Sequence, residues 1–440
     1  VAPHGFFSWT NFFLFWDNGL KTLEGRGGHW IRVWALRLAE DWILERLQDS
    51  DGLGAIYPGI VNTVMAMKCL GYPDTDPRLV EQLQMLDRLE LAAEPAEKLE
   101  IQPSISPLWD TAISVIALAE SGMERNHPAL VKAASWLISK EIKIAGDWKY
   151  TNPKGPIGGW CFQFNNAYYA DVDDSAMVML ALRHVYLDEP LSLAREKACL
   201  RGLNWTLSMQ SSSGGWAAFD KENTKAILTK IPFADHNAMI DPPYADITAR
   251  VLELMGYIGY DRGYPSVARA AAFLKSEQEL DGSWFGRWGV NYIYGTWQAL
   301  RGLAAIDEDM SQPFVQKGAE WLLSVQREDG GWGETCLTYA DPAQKGRGPS
   351  TPSQTAWAIM GLMAAGIHGE PVRRGVEYLI SNQKEDGTWD ETEYTGTGFP
   401  QVFYLEYTMY RNYFPIQALG AYQRHLKETA RPPLAEAGGN

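Results

Sequence analysis

The sequence predicts an all-α protein whose helices form an (α/α)6 barrel, in which inner and outer helices alternate along the chain. Two observations favour this fold class. A unit of an aromatic residue, a glutamine and a tryptophan recurs in one register in the second half of the chain. Apolar helical segments also alternate there with segments richer in Lys, Arg and Glu. A supersecondary unit repeated in this way is typical of helical hairpins that stack in a row or close on themselves.

The repeated unit, called the Gln–Trp unit below, has its Gln five positions after the aromatic residue and its Trp six positions after the Gln. We expect the Gln amide to reach backbone groups left open at a helix C-terminus, and the Trp after the Gly turn to join one hairpin to the next. Weaker copies begin at Trp42 and at Trp136, the second closing at Trp148. The four full copies are Trp205/Gln210/Trp216, Phe273/Gln278/Trp284, Trp321/Gln326/Trp332 and Tyr378/Gln383/Trp389.

The first part of the chain begins with an aromatic segment, Phe6 to Leu20, which is apolar on nearly every side. Such a helix is either deeply buried or inserted into a lipid interface. Amphipathic helices are predicted next, at 28–48, 58–71 and 77–91, because Gly- and Pro-containing turns separate them. The acidic segment 94–106 predicts a boundary between a domain at 1–106 and a barrel domain at 107–440.

The barrel domain is predicted to contain six inner helices and five outer helices, so that one outer helix is lacking. A turn at 155–159 is expected to lead into an aromatic, strand-like segment at 162–169. The inner helices are predicted at 107–122, 172–186, 245–256, 291–306, 352–366 and 403–424. The outer helices, each ending in a Gln–Trp unit, are predicted at 128–140, 192–209, 264–278, 312–326 and 370–383.

Composition excludes several classes of function. A net charge of −15 without a Lys/Arg cluster argues against a nucleic-acid surface. The four cysteines lack CxxC spacing, which indicates free thiols in a reducing compartment. No apolar run approaches the ~20 residues of a transmembrane helix, so we expect any membrane contact to be peripheral. The chain begins with Val1 rather than Met, from which we expect that its natural N-terminus is missing.

One acidic motif, Asp171-Val172-Asp173-Asp174, lies between an aromatic run and an apolar helix. Its ordinary interpretation is an acidic N-cap, since carboxylates are favoured in the first turn of a helix. The segments ahead of the other inner helices should meet this motif at one mouth of the barrel. They contain the aromatic and acidic residues Trp109, Asp110, Tyr168, Tyr169, Asp241, Tyr244, Asp246, Trp288, Tyr292, Tyr294, Phe399, Phe403, Tyr404 and Tyr407.

Three chemistries use clustered carboxylates. Metal binding for a diphosphate substrate would require two separated acidic motifs, and basic residues for the phosphates. Glycoside hydrolysis would need two carboxylates on either side of a sugar. Protonation of an alkene needs an acid that holds its proton at neutral pH, which neighbouring carboxylates favour, and a carbocation needs aromatic faces in a dry site. This third chemistry explains the combination of acids and rings best.

These features together resemble the squalene–hopene cyclases, over essentially the whole chain. The repeated Gln–Trp units are specific to the triterpene cyclase family. The Asp-Val-Asp-Asp motif resembles the squalene branch rather than the oxidosqualene cyclases, whose acid lies in Asp-Cys-Thr-Ala-Glu. An Asp-x-Asp-Asp motif also occurs in class II diterpene cyclases, so the repeats carry the resemblance.

The resemblance implies an enzyme that protonates a terminal alkene of squalene and forms hopene, hopanol or another polycycle, without cofactor or metal. It implies that Asp173 is the proton donor, with Asp171 and Asp174 as hydrogen-bonding neighbours and Asp246 and Tyr294 as a supporting network. Arg250 stands where some members have an activating His, and Tyr57 where members have a water-positioning Gln. The cavity aromatics implied are Trp109, Phe162, Phe219, Trp288, Phe399, Phe403 and Tyr407, with Phe233 in a channel constriction at 231–235.

The resemblance also implies a peripheral enzyme on the cytoplasmic face of a membrane, contacted near Phe6–Leu20, and a homodimer. Its fold is two α/α barrels with the cavity between them. Residues 1–106 are then the remnant of a truncated second barrel, and we expect the fragment alone to have an open cavity and little activity. The alternatives at this stage are another polyprenyl cyclase of the same family and a non-catalytic or sugar-processing helical toroid.

Overall fold

The computed structural model describes residues 8–25, 29–92, 99–231 and 238–430 of the chain. These residues are mostly helical, with two short antiparallel strand pairs. In chain order the elements are α1 (Trp9–Gly25), α2 (His29–Arg46), α3 (Tyr57–Leu70), α4 (Pro77–Asp87), β1 (Glu90–Ala92), β2 (Leu99–Ile101), α5 (Pro107–Glu120), α6 (Pro128–Ser139), α7 (Val172–His184), α8 (Leu191–Ser208), α9 (Ala245–Tyr257), α10 (Pro265–Ser276), α11 (Tyr292–Ala305), α12 (Pro313–Ser324), α13 (Pro352–Ala364), α14 (Glu370–Ser381), β3 (Gly396–Phe399), β4 (Phe403–Leu405) and α15 (Tyr410–Thr429).

Six of these helices form a closed inner ring. Helix α5 packs on α7, and the ring continues through α9, α11, α13 and α15 back to α5. Each of the helices α6, α8, α10, α12 and α14 packs outside the inner helix that precedes it. The all-α fold class and the alternation of inner and outer helices are thus confirmed for the part of the chain that the structure describes.

Burial explains why the two layers differ in sequence. In α7 every residue from Val172 to Leu182 is buried, because this helix contacts neighbours on both sides and outer helices behind it. Such a helix can be apolar around its whole circumference. Outer helix α14 buries only Val372, Gly375, Val376 and Leu379, the spacing of a single helical face. Its opposite face is free to carry charged residues.

The Gln–Trp units have a common geometry that differs from the one expected. In three of the four full copies, the Gln amide nitrogen donates to the Gly carbonyl of its own turn and to a carbonyl in the first turn of the next outer helix. Gln326, for example, donates to Gly330 O at 2.8 Å and to Pro371 O at 2.9 Å. The Gln therefore links successive outer helices at their ends, rather than bonding backbone groups left open at a helix C-terminus as predicted.

The open C-terminal carbonyl is instead bonded by the Trp. The indole N–H of Trp332 donates to Leu322 O at 2.7 Å, and the other three full copies do the same with the carbonyl ten residues earlier. The backbone N–H of Trp332 also donates to Thr355 Oγ1 at the start of inner helix α13. Each Trp consequently ties an outer helix to the inner helix that follows it.

The weaker copy at Trp136 closes differently from the sequence prediction. The indole N–H of Trp160 donates to Leu137 O at 2.8 Å, and Ser175 Oγ accepts the backbone N–H of Trp160. Trp148, which the spacing suggested, is buried, but its indole N–H has no hydrogen-bond partner among the described residues. A longer loop therefore delivers a different Trp to the same position.

Three other predicted elements differ in the structure. Helix α4 ends at Asp87, because the chain then enters β1, which pairs with β2 in antiparallel register. Residues 162–169 form turns rather than a strand. The predicted helix 403–424 begins only at Tyr410, because Phe403–Leu405 pairs with Gly396–Phe399 as a hairpin.

The first part of the chain lies over one mouth of the barrel. The backbone N–H of Asn165 donates to Asp51 at 2.8 Å, the Asn166 amide donates to Gly54 O at 3.1 Å, and Arg46 pairs with Asp147. The β1–β2 pair lies where the sequence predicts a domain boundary, and the division at residue 106 stays a prediction. No helix in the described part of the chain is long and apolar enough to span a membrane.

Candidate active site

A cavity of about 400 Å³ lies at the mouth where the inner helices begin. The barrel forms one wall, and the other wall comes from the first part of the chain, including Leu53, Ile56, Pro58 and Pro103. The lining is mainly aromatic and aliphatic, with the carboxylates of Asp171, Asp173 and Asp174 on the barrel side. The apolar and aromatic lining residues are Trp42, Leu53, Ile56, Pro58, Pro103, Trp109, Phe162, Tyr169, Phe219, Trp288, Tyr294, Phe399, Phe403, Leu405, Tyr407 and Tyr410.

The three acids of the motif have different surroundings although they are adjacent in sequence. Asp171 is the N-cap of α7, where its Oδ1 accepts the backbone N–H of Asp173 at 2.7 Å and that of Asp174 at 3.2 Å. The ordinary interpretation of the motif as a helix cap thus holds for this residue. Asp173, in the first turn, has its own carboxylate directed elsewhere. Asp174 is buried, and its Oδ1 has no hydrogen-bond partner among the described residues.

The carboxylate of Asp173 is bonded to Arg250, an inner-helix residue of α9. Arg250 Nε donates to Asp173 Oδ1 at 2.7 Å, and Arg250 Nη2 donates to Tyr294 Oη at 2.8 Å. With its amide oxygen facing the guanidinium, Gln298 accepts from Nη1 at 2.9 Å. The guanidinium carbon also lies 5.3 Å from the centroid of the Trp109 ring. Arg250 is only 2% exposed, so the pair is shielded from solvent.

Burial governs the protonation of these groups. It raises the pKa of Asp173, against the opposing attraction of Arg250. Burial, and then repulsion from the neighbouring carboxylates, raises the pKa of Asp171 and of Asp174 well above the ordinary value. At Arg250, burial opposes the charge, but Asp173 and Tyr294 outweigh it and the pKa is raised. The site therefore combines a permanent cation with carboxyl groups that tend to hold protons.

Asp246 supports the aromatic wall rather than the Asp173–Arg250 pair. Its Oδ2 accepts the backbone N–H groups of Arg287 and Trp288 at 2.8 and 2.9 Å, which fixes the loop that carries the Trp288 ring. Burial raises the pKa of Asp246 to about 6. Of the two residues predicted as a supporting network, Tyr294 contacts Arg250 directly, and Asp246 positions a cavity aromatic.

The aromatic wall is held by ring contacts. The rings of Phe162 and Tyr407 meet edge to face at 6.3 Å, and those of Phe399 and Phe403 do so at 5.4 Å. Tyr407 stacks on Tyr410 with ring centroids 4.5 Å apart. Aromatic faces of this kind attract a cation within the cavity, each by about 0.5–2 kcal/mol when water is excluded.

The structure brings nearly all predicted site residues together. The predicted aromatics Trp109, Phe162, Phe219, Trp288, Phe399, Phe403 and Tyr407 line the cavity, as do Asp171, Asp173, Asp174 and Tyr294. Arg250 and Asp246 are buried behind this lining. Tyr57 is not a lining residue, although its neighbours Ile56 and Pro58 are. Phe233, with residues 232–235 of the predicted constriction, lies outside the described residues.

Sequence reasoning missed several residues of the site, and three of them contact the Asp173–Arg250 pair or the aromatic wall. Tyr410 lines the cavity, and its hydroxyl accepts the indole N–H of Trp109 at 2.9 Å. Gln298 lies four residues after Tyr294, which is the helical spacing that would have indicated a shared face. Arg287 is buried with its guanidinium 4.3 Å from the Trp288 ring, and no sequence signal separates it from a surface Arg.

Two alternative chemistries find little support in this geometry. The three lining carboxylates come from one turn of one helix, so they do not flank a substrate as a glycosidase pair would. In the part of the chain that the structure describes, no three His, Cys, Asp or Glu side chains are arranged to hold a metal ion.

Comparison with known proteins identifies similar sequences along the chain. The family model for the squalene-hopene cyclase C-terminal domain matches residues 105–424, and that for the squalene-hopene cyclase N-terminal domain matches residues 1–95. The chain is 44% identical to a squalene–hopene cyclase of Zymomonas mobilis, over 96% of this chain and 65% of that protein. It is 45% identical to a squalene–hopene cyclase of Alicyclobacillus acidocaldarius, over 93% of this chain and 65% of that protein. The chain thus spans about two thirds of the length of these relatives.

The fold is similar to that of a solved terpene cyclase. The type II terpene cyclase MstE from Scytonema superposes with a TM-score of 0.51 at 15% identity, over 77% of this chain and 92% of that one. At this identity the likeness concerns the arrangement of helices alone.

Proposed function

Because the chain belongs to the squalene–hopene cyclase family, we propose that its barrel performs the proton-initiated cyclisation of squalene to a pentacyclic triterpene, with Asp173 as the acid. One observation carries the assignment of the acid. Asp173 is the motif carboxylate that is bonded to the buried cation Arg250 and also lines the aromatic cavity. The other two acids lack that contact with Arg250 among the described hydrogen bonds.

The proposed reaction begins when the protonated carboxyl of Asp173 transfers its proton to one carbon of a terminal alkene of squalene. The alkene's π electrons form the new C–H bond, which leaves a tertiary cation on the other carbon. Each following double bond attacks this cation, forming a C–C bond and moving the positive charge along the chain. The aromatic rings stabilise the moving charge, and their dry surface prevents early capture by water.

The reaction ends either by loss of a proton from a carbon next to the final cation to water, which gives hopene, or by addition of water to the cation followed by loss of a proton from the oxygen to a second water, which gives hopanol. In both cases no electrons are lost or gained overall. The carboxylate left on Asp173 is stabilised by Arg250 until it takes up a proton again. Arg250 itself holds its protons too firmly to return one, because a guanidinium has a pKa above about 12.

The experiment is incubation of the natural protein with squalene, followed by mass spectrometry of the apolar products. We expect a pentacyclic product from the wild type and a loss of at least about 10²-fold in rate from Asp173→Asn, since removal of a general acid costs about 10²–10⁴-fold. Asp171→Asn serves as the matched control, because Asn can still cap α7. Equal product from wild type and Asp173→Asn would contradict the assigned acid.

We also propose that the protein contacts a membrane surface through α1 and α2, peripherally and on the cytoplasmic side. This proposal is supported by an exposed apolar face on both helices. Phe15 is 73% exposed, Trp30 71% and Trp34 61%, and large aromatic residues of this kind favour the lipid interface. An apolar substrate such as squalene would reach the cavity from such a membrane without crossing water.

A further inference from the structure

A row of polar residues continues from the site down the inside of the barrel. On α9 the residues Asp246, Arg250 and Glu253 are spaced by four and three positions, which places them on one face. On α11 Tyr294, Gln298 and Arg301 have the same spacing. Both stripes are among the buried or nearly buried residues of the inner ring, although most of that ring is apolar. The polar residues below Arg250 do not take part in the proposed reaction.

The residues below Arg250 form a chain of ion pairs. Arg301 Nε donates to Glu253 Oε1, and Arg301 Nη2 donates to Glu120 Oε1 at 3.2 Å. Glu120, the last residue of α5, also accepts from the Gln417 amide at 2.9 Å. These groups and Arg250 surround one small cavity of about 20 Å³ in the barrel interior. We call Arg250, Glu253, Arg301 and Glu120 the charge row.

The charge row contains two cations and two anions and is therefore neutral without any contribution from Asp173. A net charge buried in this apolar interior would be costly, so a neighbouring group that titrates would change protonation to cancel it. Because the row is already balanced, Asp173 has no need to ionise beside Arg250. If an anion of the row were lost, ionisation of Asp173 would be the nearest way to restore neutrality.

We propose that Glu253, Arg301 and Glu120 act as positioning residues that balance the charge of Arg250, so that Asp173 retains a proton beside a permanent cation. This inference rests on the proposed function for its biological meaning, but its physical content concerns only the protonation of Asp173. The row lies on the opposite side of Arg250 from the substrate cavity, and its residues do not touch that cavity.

Other charged or titratable groups face this region from each neighbouring helix. Asp171 and Asp174 lie beside Asp173 on α7, Asp246 lies one turn before Arg250 on α9, and Asp110 lies at the start of α5. Tyr294 of α11 bonds Arg250, and Tyr407 and Tyr410 lie across the cavity. At the far end, His184 lies 3.8 Å and Arg424 3.8 Å from Glu120. Burial lowers the pKa of His184, which favours its neutral form, and the Arg424 side chain is 45% exposed to solvent.

The proposal predicts opposite effects for the two signs of charge. Glu253→Gln leaves the row with one excess cation. The carboxylate of Asp173 is then favoured, and its titration should shift to lower pH by about one unit. Arg301→Gln leaves one excess anion, so Asp173 should hold its proton to a pH higher by about one unit. The double variant Glu253→Gln/Arg301→Gln has a neutral row again and should titrate close to the wild type. A merely structural role would not reverse sign or be rescued in this way.

The titration is measured on the natural protein by infrared difference spectroscopy between successive pH values, with the Asp173 carboxyl band assigned by its loss in Asp173→Asn. The pH dependence of squalene cyclisation is measured in parallel. Glu141→Gln is the matched control, because it breaks the pair between the buried Glu141 and the exposed Arg201 in the outer layer, away from the row. If Glu253→Gln does not fold, Glu120→Gln removes a negative charge of the same row and should shift the titration in the same direction.

Shifts of opposite sign in the two single variants, with recovery in the double variant and no change in Glu141→Gln, support the proposal. An unchanged titration in both single variants, or shifts of the same sign, overturns it. If the infrared titration shifts as expected while the wild type forms no cyclic product from squalene, the charge row stands and the proposed function fails. If the wild type cyclises squalene but the titration of Asp173 is the same in the variants, the proposed function stands and the proposal about the charge row fails.

Discussion

At the scale of the residue, Asp173 lies under two opposing influences. Burial favours its neutral form and raises its pKa, whereas Arg250, bonded at 2.7 Å, favours the carboxylate and lowers it. The net direction is upward, so burial outweighs the ion pair. An acid for an alkene needs both influences, because it must hold a proton before the reaction and carry a negative charge after it. We conclude that an Arg at position 250 is compatible with a proton-donating Asp173.

Asp174 provides a stability test at the same scale. Burial first, and repulsion from Asp171 and Asp173 next, raises its pKa well above the ordinary value. A carboxyl whose pKa is raised by folding stabilises the folded state below its unfolded pKa, and this contribution is lost as pH rises through the folded pKa. We therefore expect Asp174→Asn to stabilise the protein by about 1–3 kcal/mol at about pH 8, with the gain shrinking towards about pH 4.

The measurement is urea unfolding of wild type and Asp174→Asn across this pH range. Asp309→Asn is the control of opposite sign, because hydrogen bonds from Ser311 lower the pKa of the exposed Asp309. A lowered pKa stabilises the fold above the unfolded pKa, so this variant should lose stability at high pH. A gain for Asp174→Asn that is the same at every pH would contradict the burial argument.

At the scale of the element, the Trp and the Gln of each Gln–Trp unit bond different helices. The Trp closes the C-terminus of its own outer helix and holds the next inner helix, as Trp284 does through Leu274 O and Thr296 Oγ1. The Gln reaches the next outer helix instead, as Gln278 does through Phe314 O. The units therefore link neighbouring hairpins into a ring, which a cap confined to one helix would not do.

This division predicts unequal costs for the same substitution in two copies. Gln326 bonds its own turn and Pro371 O of the next helix, whereas Gln383, in the last copy, bonds only Gly387 O in the described hydrogen bonds. We expect Gln326→Ala to lower the free energy of unfolding by about 1–2 kcal/mol more than Gln383→Ala, because it loses a link between helices and leaves a carbonyl with fewer partners. Urea unfolding of the two variants tests this, and equal losses would show that the link contributes nothing.

At the scale of the whole molecule, the exposed apolar residues of α1 and α2 lie outside the closed ring of inner helices. The barrel opens at the mouth where the inner helices begin, and α2 contributes Trp42 to the cavity at that mouth. The same helix carries Trp30 and Trp34 on the surface, where they are exposed. The proposed membrane face and the cavity are therefore connected by one helix.

The membrane proposal predicts the behaviour of a variant with two changed aromatics. We expect Phe15→Glu/Trp34→Glu to reduce binding to phosphatidylcholine vesicles at least about tenfold, because each buried aromatic contributes about 1.5–3 kcal/mol. Binding is measured by sedimentation with the vesicles. Leu280→Glu is the control, since Leu280 is 94% exposed in the turn between α10 and α11, outside α1 and α2, and should leave binding unchanged. Equal binding by the double variant and the wild type would contradict the proposal that α1 and α2 contact the membrane.

The sequence by itself determined the helices, their alternation and the position of the acidic motif, because these depend on local periodicity and on a repeat with fixed spacing. The resemblance carried by the motifs also supplied the aromatic residues that line the cavity. The sequence did not determine that Phe403–Leu405 is a strand, since pairing with Gly396–Phe399 decides this. Nor did it assign the carbonyls that Gln and Trp bond, or identify Trp160 as the closing residue.

The tertiary structure alone decided the chemistry around Asp173. The residues of the motif do not by themselves distinguish Asp171, Asp173 and Asp174, and only the resemblance singled out Asp173. Among the described hydrogen bonds, Asp173 is the one of the three that bonds a cation on a different helix, 77 residues away along the chain. The charge row below that cation joins α5, α9 and α11. Acid strength in a buried site depends on which distant charges meet and on how completely water is excluded. Both are properties of the closed ring of helices, and neither is a property of any one segment.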